Sequence, residues 1–200
     1  MKISLGAKTI IYPAPVLIIG TYDINKRPNL MTAAWGGICC SSPPCVAVSM
    51  RKATYTYGNI KQRKAFTVNI LSENIVKEAD YYGIVSGRSE DKFAKTSITP
   101  VRSDLVDAPY GKQFPFVLEC KLLKTIEIGL HTQFIGEILD VKVDQSIIGP
   151  NGLPDIDKLK PFFFNPANRD YLGTGKKLGK GFSIGKEIWR LFPISLYKDE

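Results

Sequence analysis

Apolar and polar positions along this chain alternate mostly with the two-residue period of β-strands, and only two stretches carry the longer helical period. Pro15 to Tyr22 (PVLIIGTY) is an apolar, β-branched run that stops at the turn-like Asp23-Ile24-Asn25-Lys26-Arg27-Pro28. It predicts a strand entering a hairpin, with Asn29 to Ile38 as its partner. Cys45 to Met50, after the Pro43-Pro44 pair, predicts a third strand, and Phe66 to Leu71 a fourth. Tyr55 to Lys64, between them, predicts a short helix. In Asn74 to Val85, residues Ile75, Ala79, Tyr82 and Val85 fall at helical spacing, with Asn74 as N-cap and Gly87 as stop. Two long, half-buried strands are predicted at Phe116 to Ile128 and Phe134 to Asp144. In the second, Leu139, Val141 and Val143 fall on one face and Asp140, Lys142 and Asp144 on the other.

Many strands with one or two short helices predict a mainly β fold, an antiparallel barrel, because strands joined by tight turns need no crossover helices. Residues 151–200 break the pattern. They mix Asn151-Gly152-Leu153-Pro154, the aromatic Phe162-Phe163-Phe164 and a Gly/Lys-rich stretch, and predict an irregular C-terminal arm packed over something.

Composition narrows the class. A chain of 200 residues with 44% apolar and 23% charged residues buries a continuous core as one domain, 1–200, without disulfides or a structural metal. Apolar stretches such as Val16 to Ile19 are far shorter than the roughly 20 residues of a membrane-spanning helix. Met1 to Gly6 lacks the apolar core of a secretory signal, which predicts a cytoplasmic protein. Cys39 and Cys40 are adjacent, and with Cys45 and Cys120 they fit neither a disulfide framework nor a C-x-x-C metal pattern. Free, mostly buried thiols are expected in preference to a redox or iron–sulfur role for Cys39, Cys40 and Cys45. The net charge of +8 is scattered along the chain, so charge alone does not choose among nucleic acid, nucleotide and protein partners.

Three segments carry candidate chemistry. In Asn29-Leu30-Met31-Thr32-Ala33-Ala34-Trp35-Gly36-Gly37, small residues either let backbone amides approach a flat ligand or only accommodate barrel curvature. Ser49-Met50-Arg51-Lys52-Ala53-Thr54-Tyr55-Thr56 ends a strand with two cations and then supplies hydroxyls at a helix start, a phosphate-binding arrangement that a solvated basic turn would also explain. His131 is the sole histidine, so by itself it makes no metal site, and no G-x-S-x-G elbow supports a hydrolase. The Gly173 to Gly181 stretch matches neither G-x-x-x-x-G-K-[ST] nor G-x-G-x-x-G and is expected to be a solvated loop.

Taken together and in order, PVLIIGT (15–21), NLMTAAW (29–35), SSPP (41–44), VSMRK (48–52), FTVNI (66–70) and HTQFIGEI (131–138) resemble the flavin reductase-like family of FMN-binding split barrels, nearest to its flavoredoxin-type branch. The resemblance covers a core of about 13–171. It implies a split β-barrel homodimer that binds FMN non-covalently near the subunit interface and takes electrons from NAD(P)H or a protein donor. By similarity, Asn29, Thr32, Ala33, Ala34 and Trp35 line the flavin ring, while Ser49, Arg51, Lys52 and Thr56 hold the phosphate, with Met50 between them in the cofactor-binding set. Asn69, the Ser86-Gly87 and Lys92 region and Tyr171 complete the implied cofactor set. No catalytic acid–base pair is expected, since the flavin carries the chemistry. The family often has an acidic residue before the histidine where this chain has Leu130, which leaves His131 structural or nicotinamide-orienting. The alternative is a small basic barrel that binds single-stranded nucleic acid through Tyr55, Tyr57, Tyr81 and Tyr82, without flavin.

Overall fold

A computed structural model describes residues 1–186 and Ile188. Strands β1 (Ala14–Pro15), β2 (Leu17–Tyr22), β3 (Pro28–Ala33), β4 (Gly36–Ser41) and β5 (Pro44–Arg51) lead through helix α1 (Tyr55–Arg63) to β6 (Ala65–Ile70). Helices α2 (Val76–Ile84) and α3 (Lys92–Lys95) and the short strands β7 (Pro100–Arg102) and β8 (Pro109–Gly111) follow. The long hairpin of β9 (Phe116–Ile128) and β10 (His131–Val143) precedes α4 (Ile156–Leu159), β11 (Phe162–Asn165) and β12 (Asp170–Gly173).

Seven strands form one antiparallel sheet in the order β3-β2-β6-β9-β10-β5-β4. Its two edge strands, β3 and β4, are consecutive in the chain and joined only by Ala34 and Trp35. The sheet therefore curls until its edges meet, and at the junction the Ser49 N–H donates to the Trp35 carbonyl at 2.8 Å, extending the β4–β5 ladder by one pair. The barrel interior is filled by Leu17 and Ile19, Val46 and Val48, Phe66 and Val68, and Phe134. A second core outside it gathers Val16 and Ile18 with Leu30, Ala79, Tyr82 and Phe162. Burial of β2 on both faces explains why its sequence is an unbroken apolar run instead of an alternating one.

Several elements differ from the sequence expectation. The predicted partner strand Asn29 to Ile38 is two strands, β3 and β4, broken at the barrel junction. Helix α2 begins at Val76 after a single 3-10 turn, Glu73–Ile75, so Asn74 is not its cap, and it ends at Ile84 with an extended Val85 as C-cap, before Gly87. Near the end of β10 a bulge decides which of its two faces is covered. Ladder register shifts between Ile138 and Asp140, so Asp140 pairs with the fully buried Glu119, and Leu139 and Val141 are 39% and 47% exposed. Lys142 follows Asp140 inward and pairs with Asp140 and Asp104 at 2.9 and 2.8 Å. The C-terminal arm is not wholly irregular: β11 pairs with β1 and β12, and Phe162 closes the second core. Residues 174–180 are irregular and exposed, and the rest of the predicted arm, at 187 and 189–200, lies outside the described residues.

The HTQFIGEI block owes its glycine to packing. A Cβ at Gly136 would lie 2.5 Å from Phe66 Cζ and 3.1 Å from Cys120 Cβ, in the middle of the barrel core. Gly136→Ala is expected to lower unfolding stability by about 1–3 kcal/mol through overpacking. Urea denaturation followed by circular dichroism measures it, and an unchanged midpoint contradicts this account.

Candidate functional site

The sharp return of the chain after β5 builds one side of a cleft. Arg51 ends that strand, the Thr54 N–H bonds back to the Arg51 carbonyl at 3.1 Å, and the Thr54 hydroxyl then caps α1 by accepting from the Tyr57 N–H at 3.3 Å. No acidic residue occupies the first turn of α1, whose Tyr55 and Thr56 N–H groups have no intrahelical acceptor. Opposite stand Asn29, Met31 and Thr32 of β3, and the far wall is the end of α2 with its following loop through Ser86, Gly87 and Arg88. The cleft encloses about 410 Å³.

Its polar groups are arranged unevenly. Asn29 donates to the Thr56 hydroxyl at 3.0 Å, yet its Oδ1 is buried with no hydrogen-bond partner among the described residues. Gly87 is what lets the loop come this close, since a Cβ there would lie 2.8 Å from the Tyr55 ring and collide with Asn29 Oδ1. The Arg88 guanidinium stands 5.4 Å from the Tyr55 ring centre and donates to the Ala53 carbonyl at 2.9 Å. The Tyr55 hydroxyl in turn donates to Asp23 at 2.7 Å. Burial alone would push the Asp23 carboxyl up. Its hydrogen bonds from Tyr55, Arg27 and Asn25 outweigh burial and hold it at about 2.

The floor holds a buried cation. Lys92 is 3% exposed, and its ammonium donates to the carbonyls of Leu30 and Tyr82, both at 2.7 Å. The Tyr82 carbonyl belongs to the last turn of α2, so the negative end of that helix offsets the charge where a carboxylate would otherwise be needed. Thr32 ties the same helix to β3 by donating to the Ala79 carbonyl.

The structure thus brings Asn29, Thr32, Arg51, Thr56, Ser86, Gly87 and Lys92 around one cleft. The other expected cofactor residues are elsewhere. Trp35, Ser49 and His131 line a separate groove of about 420 Å³ with Lys8 to Ile11 and Ile128. Ala33 and Met50 face the barrel core, and Ala34 lies in the junction beside Trp35. Asn69 is fully buried, donating to the Ile18 carbonyl at 2.8 Å and to Thr67 at 3.0 Å. Lys52 turns to solvent and pairs with Glu127 at 2.8 Å. Tyr171 packs on Phe162 and donates to Asp80 at 2.9 Å; burial, then that hydrogen bond and the Asp80 charge, push its hydroxyl up to about 12. Arg88 is the cation that sequence reasoning missed, although it follows Ser86-Gly87 directly. The tyrosines proposed as stacking platforms do not form one: Tyr82 is fully buried, and Tyr57 packs edge-on against Phe134 at 5.4 Å.

Comparison with known proteins points one way. The flavin reductase like domain family matches residues 9–156. The flavoredoxin of Desulfovibrio vulgaris (Miyazaki F) is similar at TM-score 0.89 and 56% identity, over 92% of this chain and 100% of that one. The flavoredoxin from Methanosarcina acetivorans is similar at TM-score 0.87 and 29% identity, over 94% and 99%. An uncharacterized protein of Archaeoglobus fulgidus is 36% identical over 132 residues, which are 66% of this chain and 73% of that protein.

Burial lowers the Lys92 pKa from 10.5 to about 8. Below pH 8 both folded and unfolded chains are protonated there, so the folded state carries the whole desolvation penalty. Between about pH 8 and 10.5 the unfolded chain holds more proton, and stability from this group rises with pH. Urea midpoints of wild type relative to Lys92→Met are expected to shift in favour of wild type between pH 7 and pH 10. A difference that stays flat across that range contradicts the buried ammonium.

Proposed function

The chain belongs to the flavin reductase-like family, and on that premise we propose that it is an electron-transfer flavoprotein holding FMN non-covalently in the cleft between β3, α1 and the loop after α2. The observation that carries this reading is the meeting, in one cleft, of an unpartnered buried acceptor with a cluster of cationic groups and free amides. Likeness to a flavoredoxin along nearly the whole chain supports it.

The residues present fit such a ligand. A cleft of about 410 Å³ falls in the range of small-molecule sites. Asn29 Oδ1 lacks a donor, which a ligand N–H or hydroxyl would provide. Arg51, the α1 N-terminus and Arg88 concentrate positive charge at one end, suited to a phosphate, with the Arg51 fork able to grip two oxygens. Lys92 adds a positive charge to the floor, which favours an anionic, reduced ring over a neutral, oxidised one.

Bound FMN would itself supply the redox chemistry, accepting a hydride or single electrons. The chain's own work is then binding, orientation and electrostatics, with no acid–base pair required. Gly87 and Ser86 bring the loop against Asn29, and Thr32 and Lys92 hold α2 in place as the opposing wall. Electrons come from NAD(P)H or from a protein donor. A second copy covers the groove around Trp35 and His131, where Ile10, Ile11 and Ile128 are 43%, 68% and 57% exposed.

Purified full-length protein is expected to be yellow, or to quench FMN fluorescence on titration; a colourless protein that leaves FMN fluorescence unchanged overturns the proposal. Arg51→Ala is expected to weaken FMN binding by about 1.5–3 kcal/mol, roughly ten- to hundred-fold, and riboflavin binding much less, since riboflavin has no phosphate. Equal losses for the two ligands would remove Arg51 from the phosphate site. Anaerobic stopped-flow bleaching separates the donors: rapid reduction by NADH or NADPH is expected of a reductase, and reduction only by a protein donor of a carrier.

A further inference from the structure

Two of the cysteines expected to be buried are exposed. Cys39 and Cys40 lie at the surface of β4, while Cys45 on β5 and Cys120 are buried. Strands β4 and β5 form a two-residue hairpin in which Ser41 pairs with Pro44 across the turn, so the next pair is Cys40 with Cys45. Pairs alternate between hydrogen-bonded and non-hydrogen-bonded positions. The Ser49 N–H donates to the Trp35 carbonyl, so alternate residues of β5 down to Cys45 turn their backbone to β4, while Pro44 has no N–H to give. Cys40 and Cys45 are therefore of the first kind, with Cα atoms about 5.5 Å apart and side chains on the same face. Disulfides span Cα separations of about 4.4–6.8 Å, so the register of this pair admits a bridge.

The neighbours single out this pair. Cys39 sits at the register shift between Ile38 and Cys40, with no partner across the ladder. Val46 and Val48 fill the barrel, so Cys45, out of phase with them, points away from the interior, with Glu137 opposite it on β10. Burial, then Cys40, Cys39 and Glu137, push the Cys45 thiol up, which makes the exposed Cys40 the sulfur that meets a soluble disulfide first. The Cys40 thiol is held over the turn by a 3.4 Å contact to the Ser42 carbonyl. Among the described residues no cluster of three or more His, Cys, Asp or Glu is arranged to hold a metal ion, so an iron–sulfur role has no ligand set.

We propose that Cys40 and Cys45 form a thiol–disulfide exchange site for small soluble disulfides of the glutathione type, separate from the flavin cleft and independent of flavin binding. Cys40, being exposed, attacks one sulfur of the small disulfide. The bond from Cys40 to that sulfur forms, the S–S bond of the small molecule breaks, and its other half leaves as a thiol with the Cys40 proton. Cys45 then attacks the Cys40 sulfur, releasing the second half as a thiol with the Cys45 proton. Two protein thiols are oxidised to one disulfide, and one small disulfide is reduced to two thiols.

The test incubates full-length protein with oxidised glutathione, alkylates the remaining thiols after unfolding, and maps them by mass spectrometry. The peptide containing Cys39 to Cys45 is expected to be lighter by two hydrogens and to carry one alkyl group, on Cys39. Cys39→Ser, an exposed change, keeps the mass loss, and Cys40→Ser, equally exposed, abolishes it. A stable glutathione adduct on Cys40 with Cys45 alkylated overturns the proposal. So do closure between Cys39 and Cys45 in the Cys40→Ser variant, a link between two chains, and alkylation of all three cysteines.

Discussion

The candidate site depends on one constraint, the closure of the sheet through Ala34 and Trp35. In a flat sheet of this strand order, β3 and β5 would be five spacings apart, about 24 Å, and Asn29 could not share a ligand with Arg51. Joining the edge strands with two residues brings β3 beside β5 and places the end of β5 next to the middle of the chain's first hairpin. The aliphatic filling of the barrel supports that closure from inside. Leu17, Val48 and Phe66 come from different strands and bury one another only when the sheet is rolled, each worth about 1.5–3 kcal/mol of burial.

Much of this was legible from local pattern. Strands β5, β6 and β9 and helix α1 lie within a residue of where periodicity put them, because each has a strong apolar face and turn residues at its ends. What local pattern could not show is which face wins when both are apolar or when a bulge intervenes. The alternation puts Leu139, Val141 and Val143 on one face and Asp140, Lys142 and Asp144 on the other without saying which is covered, and the bulge before Asp140 turns Asp140 and Lys142 to the buried Glu119. A charged network of Glu119, Lys142, Asp140 and Asp104 forms there, and one-strand periodicity carries no information about such a partner. The aromatic run of the arm is similar: β1, a strand of only two residues, pairs with Phe163 and Phe164, and Phe162 beside them enters the second core.

The site was legible to the same extent and for the same reason. Asn29, Thr32, Arg51 and Thr56 lie close in the two segments whose composition pointed to a ligand, and closure makes those segments neighbours. Adjacent positions in those segments separate because successive strand residues point to opposite faces. Met50 therefore enters the core while Arg51 reaches the cleft. Lys52, just past the strand, finds Glu127 in solvent, an exposed pair that contributes little to stability. Trp35, Ser49 and His131 share a groove because β4, β5 and β10 are adjacent in the sheet, a relation visible only once strand order is known.

Lys92 shows how the two walls of the cleft become one unit. A lone ammonium at 3% exposure is costly unless its three donors are met, and here two carbonyls from different elements meet it. One carbonyl is on β3 and the other ends α2, so the same charge bridges the barrel and the helix that forms the far wall. The Thr32 hydroxyl makes a second bridge between those elements. Moving α2 away from β3 would leave a buried cation and two carbonyls unsatisfied at once, which resists opening more than apolar contacts of the same area, since those weaken gradually with separation. The cleft is thus held at a fixed width by polar bonds at its base, while its rim, formed by Ser86, Gly87 and Arg88, rests on close packing against Asn29 and Tyr55. A site built in this way is preorganised where charge develops, and the electrostatic work is done by folding before any ligand arrives.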